Sequence, residues 1–337
     1  MIDASVLVVG AGAIGGVTAA KMAGKVRRVV VLDANPKHVR LMRDPGLLLD
    51  DLGEERHVPL DAHDELEDIE GPFDFALVIL KAPHLEAALG PLVARDLAAT
   101  FVSVGNGLVQ DRISDLVGKD HYVPGVVEFG ATNLGPGHVA QTTRGPFVVG
   151  ELDGETRERT RLLRDVLDTV DGAKISEDIR GQIWSKLLVN STFSGLGVVS
   201  GMLYREVVDE PNGRRAALAL WTEGYDVGTA QELAMDRVLG IHPEELVVRG
   251  LEDEERADGA LAVAMEQAGA TKASMLQDLE RGAKTEVDVI NGGVVQKGRE
   301  TGVPTPLNAR VVELVHAMER GERQPGRDAL EELAALA

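Results

Sequence analysis

The apolar run Ser5-Val6-Leu7-Val8-Val9 stops directly at Gly10-Ala11-Gly12-Ala13-Ile14-Gly15-Gly16, and a helix-forming stretch, VTAAKMAGKV, comes next. No other stretch restricts the fold as strongly. Branched apolar residues favour a buried strand, and the alanine-rich segment favours a helix. Between them, Gly10, Gly12 and Gly15 have the G-x-G-x-x-G spacing. Gly10 permits a tight turn, Gly12 lets backbone approach a pyrophosphate, and Gly15 lets the helix pack close on the strand. The helix N-terminus then faces the phosphate charge. Ala13 and Ile14 complete the loop, so Gly10, Gly12, Ala13, Ile14 and Gly15 are the candidate cofactor-binding residues. A glycine-rich turn alone can be purely structural; the strand, helix and second strand around this one give it meaning. The expectation is an N-terminal Rossmann-type doubly wound sheet that binds a dinucleotide.

The second strand, RVVVLDAN, ends in Asp33, 18 residues after Gly15 and near the offset at which an acid bonds the adenosine ribose. A carboxylate about 4 Å from a 2′-phosphate costs roughly 4 kcal/mol per unit charge pair at an effective dielectric near 20. NAD(H) is therefore the preferred cofactor, with NADP(H) as the second option, since Lys37, His38 and Arg40 lie just beyond and could soften the repulsion. Asp33 could also serve as a turn former or helix cap ahead of Asn35-Pro36.

LLLDDLGEERHVPL, residues 47–60, reads as two short strands around a polar turn. FDFALVILKAPH gives a buried strand with Lys81 at its carboxyl end, and TFVSVGNG gives another ending at Asn106-Gly107. Ligands of open doubly wound sheets bind beyond the carboxyl ends of the strands, which makes Lys81 and Asn106 candidates for contact with the cofactor. Either could equally be a strand-end polar residue facing water. The alternating branched residues and Gly-Pro turns of 122–151 predict hairpin strands at the far edge of the sheet. A helix near 155–170 and a strand near 173–175 would close the first domain.

From Glu177 the pattern becomes helical, so the expected division is an α/β domain over 1–176 and an all-helical domain over 177–337. The length of 337 residues suits two domains. A net charge of −20 disfavours nucleic acid and anionic membranes, both of which would repel this surface. With no cysteine there is no disulfide or thiolate chemistry, and no metal site is expected. The opening MIDASVLVVGAG has no basic region, and no apolar run is long enough to span a membrane, so a cytoplasmic protein is expected. The long apolar helices of the second domain are compatible with a homodimer.

Within the helical half, GQIWSKLLVNSTFSG places Lys186, Asn190 and Ser194 at i, i+4 and i+8, nearly one face of a regular helix. One cation, one amide and one hydroxyl beside an apolar flank suit a helix that lines a cleft. An amphipathic surface helix with a snorkelling lysine shows the same spacing. Lysine is scarce, 10 residues among the 35 basic ones, so this one calls for explanation.

VVGAGAIGG, LKAPH around Lys81, the NG pair at Asn106, GPGHV leading to VVGE, IWSKLLVN, SMLQDLERGAKTEVDVING and VPTP together resemble the ketopantoate reductase (2-dehydropantoate 2-reductase) family over essentially the whole chain. The resemblance implies that Lys186 is the general acid/base, that Asn190 binds substrate, that Ser274 contacts its carboxylate, and that Glu286 binds its hydroxyl. It also implies Lys81 and Asn106 near nicotinamide and substrate. Two positions depart from the family: Ser194 and Thr271 stand where further pocket asparagines are usual, and both remain substrate-binding candidates. Asp33 also departs, since NADP-using members carry a basic residue at the end of this strand.

The implied chemistry is physically coherent. Hydride addition to a 2-oxo acid builds negative charge on the carbonyl oxygen, and a cationic donor there stabilises that charge and delivers the proton. A lysine is charged at neutral pH, and a nearby carboxylate such as Glu286 favours the charged form. Glu286 could instead be a first-turn acid after an N-capping Thr285. Reduction of 2-dehydropantoate to pantoate is the default expectation, with a small 2-oxo or 2-hydroxy acid as partner. The rival is an NAD-dependent dehydrogenase of a different hydroxy acid or polyol acid. A non-catalytic dinucleotide-sensing protein is the remote alternative.

Overall fold

The computed structural model describes residues 1–337, which divide by contact into two units. The first holds 1–105 and 109–179, the second 180–337 together with 106–108. In the first, β1 (Ile2–Val9), α1 (Ala13–Met22) and β2 (Val26–Leu32) form the opening βαβ turn. Next come α2 (Pro36–Leu41), β3 (Leu47–Asp51), β4 (Glu54–Val58), β5 (Asp61–His63), β6 (Phe73–Val78), α3 (Leu85–Ala94), β7 (Ala98–Ser103) and α4 (Gln110–Val117). The unit ends with β8 (Tyr122–Val127), β9 (Ala131–Gly135), β10 (His138–Gln141), β11 (Phe147–Val149), α5 (Glu158–Asp171) and β12 (Ala173–Ile175).

The main sheet runs β12-β11-β8-β7-β6-β1-β2-β5. The six strands from β8 to β5 are parallel, and β11 turns the direction by pairing antiparallel with β8. Val6, Val8, Phe75, Leu77 and Val102 are buried in the first unit's core, as near-continuous apolar parallel strands require. The strand order reverses at β1, with β2 on one side and β6 on the other, so the glycine loop after β1 lies at the switch point of the sheet.

One expected placement is corrected. Residues 122–151 do not form a hairpin block at the edge of the main sheet. β8 and β11 join that sheet, while β9 and β10 leave it for a separate four-stranded sheet, ordered β4-β3-β10-β9. The physical reason is that β3 and β4 offer an unpaired edge, which β10 closes in parallel register with Val139 opposite Leu49, both fully buried.

The second unit is helical: α6 (Ile179–Val189), a π-helical turn (Asn190–Ser194), α7 (Gly195–Ser200), α8 (Tyr204–Asp209), α9 (Pro211–Ala230), α10 (Glu254–Ala268), α11 (Ser274–Glu280), α12 (Asn291–Thr301), α13 (Pro306–Glu319) and α14 (Arg327–Ala334). No helix is long and apolar enough to cross a membrane. α9 runs through its core and touches α6 across two glycines four residues apart. A Cβ on Gly224 would lie 2.7 Å from Leu188, and one on Gly228 would lie 2.4 Å from the indole Nε1 of Trp184. That indole donates to the Gly224 carbonyl at 3.0 Å. The glycines thus let α6 pack closely and fix its rotation.

Gly228→Ala tests this contact. Alanine returns about 1 kcal/mol of helix propensity, but forcing a methyl into a filled core costs about 1–3 kcal/mol, so a net loss is expected. Both tryptophans, Trp184 and Trp221, lie in the second unit, so urea unfolding followed by tryptophan fluorescence reads that unit alone. Its midpoint should fall; an unchanged or raised midpoint would show that the helices are not in close contact.

Candidate active site

In the first unit, the three glycines do three different things. Gly10 adopts φ +90°, and a Cβ there would meet the Ile79 carbonyl at 2.7 Å. A Cβ on Gly15 would be 1.9 Å from the Gly10 carbonyl, so only glycine lets α1 start this close to the turn. Gly12 is the exception: nothing lies within 4 Å of where its Cβ would be. Its lack of a side chain therefore serves no internal packing and leaves open space beside the backbone. α1 has Gly12 as N-cap, no side-chain cap and no acid in its first turn. Its leading N–H groups are thus available to an anion, and the residues present fit a dinucleotide pyrophosphate. Ala13 and Ile14 are half-buried in that first turn.

Asp33 stands just past β2, half-buried, and its carboxylate braces the loop. One oxygen accepts from the Ala11 N–H at 2.8 Å and the other from the Asn35 N–H at 2.9 Å. Each carboxylate oxygen keeps a second acceptor site for a ribose hydroxyl. Asn35, not Asp33, caps α2. His38 is corrected as a phosphate-softening cation: it is buried, its Nε2 lies 2.8 Å from the Ala11 carbonyl, and its Nδ1 accepts from the Gly137 N–H at 2.7 Å. An imidazole that accepts at one nitrogen and donates at the other is the neutral tautomer, so it ties the glycine loop to the β9–β10 turn and adds no charge. Lys37 and Arg40 remain exposed, and so does Lys81, just past β6.

In the second unit, Lys186 is half-buried on α6, and Asn190 comes one turn later. The three rungs differ in burial, Lys186 and Asn190 being half-buried and Ser194 buried, and the helix widens at Asn190. There the Gly195 N–H donates to the Asn190 carbonyl five residues back. The wider turn shifts the helical phase of the residues beyond it. Ser194 is buried in the core, where its hydroxyl lies 2.6 Å from that of Tyr204. Burial pushes the Tyr204 hydroxyl up from its ordinary pKa, against the Ser194 hydrogen bond, which lowers it. The Tyr204 ring packs on Phe193 at 5.6 Å, and Phe193 on Trp221 at 6.0 Å.

Asn106 belongs to this helical unit rather than to the sheet it succeeds in the chain. Its Nδ2 donates to Glu286 Oε2 at 3.3 Å, and its Oδ1 accepts from Asn190 Nδ2 at 3.4 Å. The next two residues complete the anchorage: Leu108 N–H donates to the Val289 carbonyl at 2.8 Å, and Gly107, at φ +77°, lies so near that a Cβ would be 2.6 Å from the same oxygen. Glu286 is buried in the turn before α12, not in a helical first turn after an N-cap. Its neighbour Thr285 is held by Glu319, which accepts from both the Thr285 N–H and hydroxyl at 2.8 Å. The structure thus joins Glu286, Asn106 and Asn190 one turn from Lys186. Ser274 is exposed at the start of α11, above buried Met275 and Leu276. Thr271 is also exposed, and its carbonyl accepts from the Tyr204 N–H at 3.2 Å.

Tyr204 escaped sequence reasoning. Its partnership with Ser194 is a packing contact between two helices that no residue pattern announces, although the chain has only three tyrosines. The Gly224/Gly228 contact also went unread, although the i, i+4 spacing of the two glycines is a signal that could have found it.

Comparison with known proteins gives the family and the fold. Residues 6–154 match the family model described as "Ketopantoate reductase PanE/ApbA", and 178–319 match "Ketopantoate reductase PanE/ApbA C terminal". The chain is 29% identical to a 2-dehydropantoate 2-reductase of Mesorhizobium japonicum, over 94% of this chain and 98% of that protein. It is also 29% identical to one of Archaeoglobus fulgidus, over 74% and 77%. Among solved structures, a PanE/ApbA family ketopantoate reductase from Ralstonia eutropha shares the fold with a TM-score of 0.79 at 23% identity, covering 94% of this chain and 99% of that one. A D-mandelate dehydrogenase solved with NADH and anilino(oxo)acetate does so with 0.80 at 24%, with the same coverage.

Gly12→Ala separates ligand approach from folding. Its methyl enters open space, so the thermal midpoint should stay within a degree or two. The NADH dissociation constant, read by fluorescence titration, should rise about tenfold or more, or roughly 1.4 kcal/mol. Unchanged affinity would mean that no ligand comes near this backbone.

Proposed function

The chain belongs to the ketopantoate reductase family, and from that premise we propose that it reduces a small 2-oxo acid with a nicotinamide cofactor, 2-dehydropantoate to pantoate being the default reaction. Its class is that of an NAD(P)-dependent oxidoreductase acting on CH–OH groups. The observation that carries the reading is the hydrogen-bonded run Glu286–Asn106–Asn190 beside Lys186.

The bound nicotinamide would supply the hydride. Lys186 donates the proton to the carbonyl oxygen as charge builds there, a contribution of about a hundred- to ten-thousand-fold in rate. Asn190 projects from the same side of the helix one turn on and orients the substrate. Glu286, fixed by Asn106 and by the clamp on Thr285, accepts the substrate hydroxyl and favours a charged lysine. Ser274, exposed at the first position of α11, meets the substrate carboxylate, and Thr271 lies three residues before it. Lys81, past the carboxyl end of β6, serves the cofactor.

NAD(H) is the preferred cofactor. The Asp33 carboxylate repels a 2′-phosphate, and His38, buried and neutral, gives that phosphate no help. A second reading, an NAD-dependent dehydrogenase of another hydroxy acid, is favoured by Ser194. Turned onto Tyr204, it leaves the pocket one polar group poorer than the family pattern, which suits a substrate with fewer hydroxyls. Either enzyme would work in the cytoplasm on a small molecule, without nucleic acid or membrane; a homodimer is to be tested by light scattering.

Oxidation of NADH with 2-dehydropantoate and a panel of 2-oxo acids, beside NAD reduction by the matching hydroxy acids, decides between the two readings. Turnover of another acid with pantoate and 2-dehydropantoate inert would select the second. Lys186→Ala should lower kcat about a hundredfold or more with NADH binding retained; full activity would exclude the lysine as proton donor. kcat/KM should favour NADH over NADPH about tenfold or more, and equal values would refute the role given to Asp33.

A further inference from the structure

The wide turn at Asn190–Ser194 is held from outside its own helix. Asn291, the first residue of α12, is fully buried, and its Nδ2 donates to the Ser191 carbonyl at 2.8 Å and to Asn308 Oδ1 at 2.9 Å. Both partners are acceptors, so the orientation of the amide is determined. Asn308, also fully buried, is oriented in turn by Glu223 of α9. Glu223 accepts from Asn308 Nδ2 at 2.9 Å, from the Asn308 N–H at 3.0 Å and from the Leu307 N–H at 2.8 Å. One carboxylate therefore caps the start of α13 and fixes the amide beside it. Room for Asn291 against the turn is made by Gly195, where a Cβ would lie 3.1 Å from Nδ2 and 3.2 Å from Oδ1.

A π turn stays only where its surroundings over-determine it, and it re-aims the side chains around it. We propose that Asn291 is a positioning residue of the reaction: by holding the Ser191 carbonyl it keeps the turn wide, and so sets the Asn190 amide against Asn106 and Glu286. Asn308 and Glu223 act through Asn291. The inference rests on the reading of Lys186 and Asn190 as the reacting site. It gives the TEVDVING segment, Thr285 to Gly292, two tasks, since Glu286 enters the site and Asn291, five residues on, braces the element opposite.

Asn291→Ala and Asn308→Ala test it, separately and combined. In Asn291→Ala, hydrogen exchange of peptides covering 186–196 should accelerate while the rest of the second unit is unchanged, a readout that needs no substrate. On the folded fraction, kcat should fall roughly ten- to hundredfold, the penalty of a misplacement near 1 Å. The deuterium isotope effect from labelled NADH should rise as hydride transfer becomes limiting, and the NADH dissociation constant should hold. Asn308→Ala should act in the same direction but more weakly, and the double variant should be no worse than Asn291→Ala. Simple loss of folded protein would lower activity without moving the isotope effect, and that result overturns the proposal. So does an unchanged exchange pattern, or faster exchange with normal turnover. If wild type turns over no 2-oxo or hydroxy acid, the proposed function fails by itself; turn and Asn190 geometry are then read by exchange and by the Asn190 side-chain amide resonance, whose constancy in Asn291→Ala overturns the proposal.

Discussion

The helical unit is built around three residues that come from the far side of the chain. Asn106, Gly107 and Leu108 come after the β7 segment yet lie against the turn before α12, held by Glu286 on one side and the Val289 carbonyl on the other. The backbone can come this close only because residue 107 is glycine at positive φ. Once Asn106 is there, its amide has one donor and one acceptor committed, and they fall on Glu286 and Asn190. Three side chains from three distant stretches thereby acquire fixed relative positions, as acid–base chemistry on a small ligand requires.

The remainder of that unit supports this arrangement through a chain of hydrogen bonds among buried and half-buried polar groups, although Asn291 Oδ1 stays unpaired. Glu319 clamps Thr285, Glu223 caps α13 and aims Asn308, and Asn308 with Ser191 fixes Asn291. Burial pushes the Glu223 carboxyl up from its usual value, and its three donors pull it back only in part. A raised carboxyl contributes stability at low pH that is lost as pH rises through its folded value, so at neutral pH Glu223 is retained at some cost. Its return is specificity of arrangement: a buried polar network fixes one geometry where an apolar core would accept several.

How much was legible in the residues depends on the range of the interactions. The glycine loop was readable because its constraints are local: Gly10, Gly12 and Gly15 each answer to neighbours within one βαβ turn. The Rossmann-type sheet and the helical second half could be inferred from that loop and from periodicity. The shared face of Lys186 and Asn190 was readable because they lie four residues apart along a helix. The burial of Ser194 against Tyr204 was not, since it depends on packing between two helices, and neither was the π turn, held by Asn291 from about a hundred residues away. Asn106 was placed at the strand end, but its membership in the helical unit depends on a contact 180 residues distant. The β9–β10 hairpin went to a second sheet because the open edge that attracted it belongs to β3, far back in sequence.

If Asn106 and Glu286 act as one constellation, a double-mutant cycle on kcat/KM shows it most directly. Asn106→Ala, Glu286→Gln and the double variant should show a coupling of about 1 kcal/mol or more, the double losing clearly less than the sum of the singles. Losses that add within about 0.5 kcal/mol would mean that the two residues work independently, and would contradict a shared constellation.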